Sequence, residues 1–107
     1  MLVADYLLHG EELAIPAREL CRVAGFENSR SLRAEIDRER MGGALILASE
    51  RGYYLPAAEP DVARSELRSF LRRQDARLAS NRRSVKAVRR ALRELDRAAA
   101  GQMNLEE

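Results

Sequence analysis

The chain has 107 residues, 46% of them apolar, and its 19 basic and 17 acidic residues leave a net charge of +2. That length admits one compact domain with an appendage, and that apolar share excludes wholesale disorder. The lone cysteine, Cys21, excludes an internal disulfide, and with neither a leader-like segment nor a long apolar run we expect a cytoplasmic protein with no membrane partner.

In chain order, residues 2–9 are predicted to form a short helix with Val3, Tyr6 and Leu7 on one face, ended by Gly10 as a left-handed C-cap. Leu13 and Ile15 follow as a short extended piece. Pro16 suits the first turn of a second helix, where its missing N–H is not needed; Leu20 and Val23 are the inward residues and Gly25 ends it. After Phe26, the side-chain oxygens of Asn28 and Ser29 suit the cap of a third helix running to about Arg40. Leu32 and Ile36, four apart, form its inward stripe, extended by Met41, before Gly42-Gly43 breaks the helix. Residues 44–48 and 53–55 read as short strands around the turn Ser49-Glu50-Arg51-Gly52, with Ile46, Tyr53 and Leu55 inward and Pro56 ending the second strand.

From Asp61 to Ala99 no Gly or Pro interrupts the chain, and one long helix is predicted. Leu71, Leu78, Val85, Leu92 and Ala99 repeat every seven residues at position a; Leu67, Gln74, Asn81, Val88 and Leu95 repeat at position d. Phe70, Ala91 and Ala98 widen the stripe, while Gln74 and Asn81 interrupt it, fixing register or marking a bend. The predicted fold class is mainly α: three helices and a hairpin in residues 1–56, a linker at 57–60, a long helix over 61–100 and a frayed tail at 101–107.

A domain as small as residues 1–56 cannot cover that whole stripe. We therefore expect oligomerisation through Leu71, Leu78, Val85, Val88, Leu92 and Leu95, with a homodimer as the default and a higher oligomer as the alternative. In a parallel pair Arg77 at position g would face Arg82 at position e of the partner, a repulsive contact. Antiparallel pairing, or packing back onto residues 1–56, is favoured.

Charge divides the chain. Residues 1–56 carry seven arginines and nine acids, net −2, whereas residues 57–107 carry twelve basic residues and eight acids, net +4. Attraction for a polyanion should reside mainly in the second half. Arg82, Arg83, Lys86, Arg89 and Arg90 stand outside the a and d positions and are candidates to track phosphates. A solvated helix exterior, with pairs such as Arg90 and Glu94, is the equal alternative.

Residues 1–56 contain Ile-Pro-Ala-Arg-Glu-Leu-Cys (15–21), then Gly-Phe-Glu-Asn-Ser-Arg-Ser-Leu-Arg (25–33), Ile-Asp-Arg-Glu-Arg-Met-Gly-Gly-Ala-Leu-Ile-Leu (36–47) and Gly-Tyr-Tyr-Leu-Pro (52–56). With the order of elements above, this half of the chain resembles the small winged helix-turn-helix proteins of phages and prophages, in the biotin-repressor-like class. The resemblance implies that 28–40 is a recognition helix and 44–55 a wing, and that double-stranded DNA is the partner. In such a domain the N-terminal end of the recognition helix reaches base edges and flanking residues hold phosphates. The implied contacts are Asn28, Ser29, Arg30, Ser31 and Arg33, with Arg18 on the preceding helix and Arg51 in the wing. Arg30 and Arg33 suit bidentate bonds to guanine, and Asn28 or Ser29 a bond to phosphate; the same two residues serve equally as helix caps. Glu35, Asp37 and Glu39 share the candidate recognition helix, and Glu50 adjoins Arg51.

Nothing in the sequence points to catalysis. His9 is the only histidine and is expected at a helix C-terminus, favourably placed against the dipole. With Cys21 it makes too few ligands for a metal, and Cys21 itself reads as a small buried apolar residue. Gly42-Gly43 lacks the Lys-Ser/Thr of a phosphate loop. No enzyme activity, cofactor, metal or small-molecule substrate is therefore expected. The readings left open are a transcriptional regulator of phage type, an oligomeric assembly adaptor resembling a small DNA-packaging subunit, and a protein-interaction module.

Overall fold

The computed structural model describes the backbone of residues 1–106 and the side chains through Gly101. Two 3-10 turns, Val3–Tyr6 and Glu11–Leu13, precede helices α1 (Ala17–Ala24) and α2 (Ser29–Met41), strands β1 (Leu47–Ser49) and β2 (Gly52–Tyr54), and helix α3 (Pro60–Glu106). The chain divides into two compact units, Met1–Leu71 and Arg72–Glu107. The expected tail at 101–107 is helical through Glu106; its side chains from Gln102 onward, and Glu107 altogether, lie outside the described residues.

In the first unit, Val3, Leu7, Leu20, Cys21, Leu32, Ile36 and Ile46 form one buried cluster, with Ile15, Phe26, Tyr53 and Leu55 packed against it. The four-residue connection between α1 and α2 begins at Gly25, whose left-handed backbone (φ 82°, ψ 27°) ends α1 as expected from a residue without Cβ. Asn28 then caps α2: its Oδ1 accepts the backbone N–H of Ser31 at 2.9 Å. Of the two expected cap residues, Asn28 takes the role and Ser29 is the first helical residue.

The N-terminal segment departs from the predicted helix over 2–9. Only residues 3–6 turn, and Leu7 is already extended (φ −86°, ψ 149°). The reason is tertiary: the Leu55 N–H donates to the Leu8 carbonyl at 2.9 Å, and the Gly10 N–H donates to the Leu55 carbonyl at 2.8 Å, so residues 8–10 are drawn onto the hairpin. Gly10 accordingly has φ 100° and ψ 142°, not the left-handed helical C-cap conformation. His9 does not end a helix; its Nδ1 lies 2.9 Å from the Pro56 carbonyl, which can only accept, so that nitrogen donates. Ile15 makes the extended contact expected of it, exchanging both backbone bonds with Tyr53 at 2.9 Å. Leu13 instead belongs to the second 3-10 turn and is exposed.

β1 and β2 are antiparallel, with Leu47 opposite Tyr54, Ala48 opposite Tyr53 and Ser49 opposite Gly52. Both strands are shifted from the predicted bounds, and both faces of the hairpin are covered. Ile46, Tyr53 and Leu55 face the main core as expected, while Leu47 and Tyr54, each 1% exposed, are buried on the opposite face. Two expected inward residues lie outside: Val23 is 42% and Met41 90% exposed. Leu20 and Cys21, with Ala17 and Ala24 one turn either side, form the inward face of α1, and Val23 lies off that face.

The start of α3 belongs to the first unit. The Glu59 carboxylate accepts the N–H groups of Asp61 and Val62 at 3.2 and 2.9 Å, and Pro60 occupies the first helical position. One turn further, both oxygens of Glu66 are used: Oε2 accepts from the Glu11 N–H and Oε1 from the Ala57 N–H, each at 2.8 Å. Among the described residues, no helix is long and apolar enough to cross a membrane.

Candidate nucleic-acid interface

The N-terminal end of α2 is built by its cap. With the Asn28 side chain bound to the Ser31 N–H, the helix begins at Ser29, and Ser29, Arg30, Ser31 and Arg33 are all exposed. Leu32, Ile36 and Glu39 are the buried positions of α2. At 3.6 residues per turn, Arg30 lies on the side opposite that stripe and Arg33 on its flank. Arg18 on α1 and Arg51 in the hairpin loop are exposed as well. Among the described residues, Arg18, Arg30, Arg33 and Arg51 form no salt bridge.

The acids of α2 are disposed otherwise than their number suggests. Glu35 pairs with Arg38, and Asp37 with Arg40 at 3.7 Å, both one turn toward the C-terminus. Glu39 turns inward: at 7% exposure, its Oε2 accepts the Val3 N–H at 2.7 Å and its Oε1 the Ala4 N–H at 3.0 Å. The first turn of α2 contains no acid, so its free backbone N–H groups and Arg30 and Arg33 combine into one positive end. Glu27, exposed just before the cap, and Glu50, exposed beside Arg51, are the nearest opposing charges in sequence.

Arg40 is not part of that end. Its Nε donates to the Ile46 carbonyl at 2.9 Å and its guanidinium lies 5.1 Å from the centroid of the Phe70 ring, so it ties α2 to the hairpin and to the first turns of α3. Glu39, Arg40 and Glu66 are positioning residues that sequence reasoning missed. For Glu39 a signal was present, since 32, 36 and 39 share one helical face. For Glu66 there was none, because its partners are backbone groups 9 and 55 residues away.

Within Arg72–Glu107, Arg82, Arg83, Lys86, Arg89, Arg90, Arg93 and Arg97 are exposed and recur at steps of three, four and seven. They therefore share one side of α3. Among the described residues, no salt bridge joins Arg90 to Glu94. The adjacent stripe is uncovered: Leu71, Leu78, Val85, Val88, Leu92 and Leu95 are 59, 53, 47, 60, 54 and 67% exposed.

A concavity lies in the first unit. It is an open cleft of about 630 Å³ lined by His9, Glu11, Glu12, Leu13, Val62 and Glu66 among others, acidic in character and rimmed by the exposed Leu13 and Val62. Among the described residues, no group of three or more His, Cys, Asp or Glu side chains is placed to hold a metal ion. No family model, curated protein or solved structure matches the chain.

Proposed function

We propose that this chain is a duplex-DNA-binding protein of phage or prophage type, a transcriptional regulator in which residues 1–56 are a winged helix-turn-helix domain. In this reading α1 and α2 are the helix-turn-helix, 28–40 is the recognition helix and the hairpin is the wing. Arg30 and Arg33 read base edges, Asn28, Ser29, Ser31, Arg18 and Arg51 hold backbone, and the basic side of α3 adds affinity without sequence preference. The uncovered stripe of α3 makes the protein a homodimer or higher oligomer. Its work is binding in the cytoplasm, with no reaction, cofactor or metal.

The observation that carries the reading is the disposal of charge on α2. Glu35 and Asp37 are paired at the C-terminal half and Glu39 is consumed in capping residues 3 and 4, while Arg30 and Arg33 are exposed and, among the described residues, form no salt bridge. A net acidic domain thus presents a positive helix end. The test is duplex binding as a function of salt, together with a solution mass from sedimentation. Binding should strengthen steeply toward ~50 mM salt, where the electrostatic component is greatest; no binding there refutes the DNA reading.

A protein-interaction or assembly-adaptor role is the second reading, and the acidic cleft between residues 9–13 and the start of α3 favours it. Its charge suits a basic, partly apolar segment of a protein partner. Should duplex binding fail, that cleft becomes the surface to test.

A further inference from the structure

We propose that α3 pairs with a second copy of itself in antiparallel orientation, in the register that sets Leu78 against Val88 of the second copy and Leu71 against its Leu95. The pairing rests on the self-association proposed for the chain and adds orientation, register and a consequence for charge. The occupant of the exposed stripe is decided by the residues beside it. In an antiparallel pair, a residues meet d residues of the partner, while e flanks e and g flanks g. The e row here is Arg68, Asp75, Arg82, Arg89 and Asp96, an order whose charges complement one another in only some registers.

In the proposed register, Asp75 neighbours Arg89 of the second copy and Arg68 neighbours its Asp96, each twice by symmetry. Arg82 meets its own copy once, on the two-fold axis. Slipping by one repeat, to place Val85 against Val88, sets Asp75 beside Asp96 and Arg82 beside Arg89, so all four contacts become repulsive. Slipping one repeat the other way opposes Arg68 to Arg89 and cancels the gain from Asp75 with Arg82. A slip of two repeats toward the C-terminus keeps only the Arg82–Asp96 attraction, sets Arg89 against itself and leaves Leu71 and Leu78 without apolar partners; the proposed register holds two attractive pairs and places Asn81 and Gln74 opposite Val85 and Leu92. A parallel pair keeps the Arg77–Arg82 repulsion twice with no attractive contact to offset it. Charge therefore selects one arrangement among those that bury the stripe.

The g row then places Ser84 against Ser84 of the second copy at the axis, with Arg77 opposite Ala91 and Phe70 opposite Ala98, so each bulky side chain meets a small one. The e flank does the opposite. Lys86 and Arg93 lie beside Arg82 and Arg89, so antiparallel pairing brings these four side chains of both copies to one side as a net basic strip, into which Asp75 of each copy intrudes beside Arg89 of the other. Parallel pairing would put the two basic faces on opposite sides. The strip is the surface on which a phosphate backbone would lie, and it exists only in the dimer.

The experiment is cysteine cross-linking of the full chain in a Cys21→Ala background, with folding verified by circular dichroism. Ser84→Cys should oxidise to a covalent dimer, because position 84 meets itself only in this register; Leu71→Cys should not, but should cross-link when mixed with Leu95→Cys. A charge exchange is the second readout. Asp75→Arg should weaken dimerisation by roughly tenfold, as expected for reversing two partly exposed ion pairs, and adding Arg89→Asp should restore it. Self-cross-linking of Leu71→Cys, or no rescue by the exchange, would overturn the register while leaving self-association intact. A monomer in sedimentation at high micromolar concentration would overturn the self-association on which it rests.

Discussion

The buried Glu39 carboxylate accepts the backbone N–H of Val3 at 2.7 Å, joining two residues 36 apart in the chain. With the bond from Ala4 it satisfies two donors at the start of the first 3-10 turn, and it removes from α2 an acid that would otherwise repel phosphate. Glu39→Ala should destabilise the protein by about 2–4 kcal/mol, since one buried and one part-buried donor lose a charged acceptor. Glu39→Gln should cost less, because one carbonyl oxygen remains. Urea denaturation measures both, and the folded fraction of either variant should keep its affinity for duplex DNA.

Gly52 opens β2 with φ 130°, and a Cβ there would overlap the Ile15 carbonyl and lie 2.7 Å from the Pro16 nitrogen. Gly52→Ala should therefore cost about 1–3 kcal/mol from backbone strain alone, with further loss from the clash. Hydrogen exchange should locate the damage: the Tyr53 amide, bound to the Ile15 carbonyl, should lose protection before the amides of α2 do.

Arg40 and Phe70 should be energetically coupled. A double-mutant cycle of Arg40→Ala with Phe70→Ala should return about 0.5–2 kcal/mol, the range for a cation over an aromatic face. Arg40→Lys should not restore stability fully, because an ammonium cannot bond the Ile46 carbonyl through a planar Nε while lying over the ring. Additive losses from the two single changes would show that the pair adds no stability of its own.

The two basic surfaces should respond differently to neutralisation. Arg30→Ala or Arg33→Ala should lose about 1–3 kcal/mol on a selected site and little on random duplex, as expected for base readout. Replacing Arg82, Arg83, Arg89 and Arg90 together should weaken all duplexes alike. It should also flatten the plot of log affinity against log salt, by about 0.9 for every phosphate no longer neutralised. Equal effects of both sets on both duplexes would remove the distinction between reading and holding.

Local chemistry was legible in the sequence wherever one residue decides its own surroundings. Asn28 is the cap of α2, Gly25 ends α1, Leu32 and Ile36 are fully buried four residues apart, and the uninterrupted run after Pro60 is one helix. These follow from short-range sterics, cap hydrogen bonds and helical periodicity, all properties of neighbours in the chain. Tertiary structure alone decided what depends on a distant partner. Residues 8–10 leave the helical path because Leu55 forms backbone bonds with Leu8 and Gly10, and Leu47 and Tyr54 are buried because the hairpin is covered on both faces, a situation that alternation does not announce. The charge of the candidate interface belongs to the same class. Composition weighs Glu39 against Arg30 and Arg33 as equals, yet Glu39 faces inward to two N–H groups and the arginines face out, because a carboxylate is stable inside only where donors converge on it.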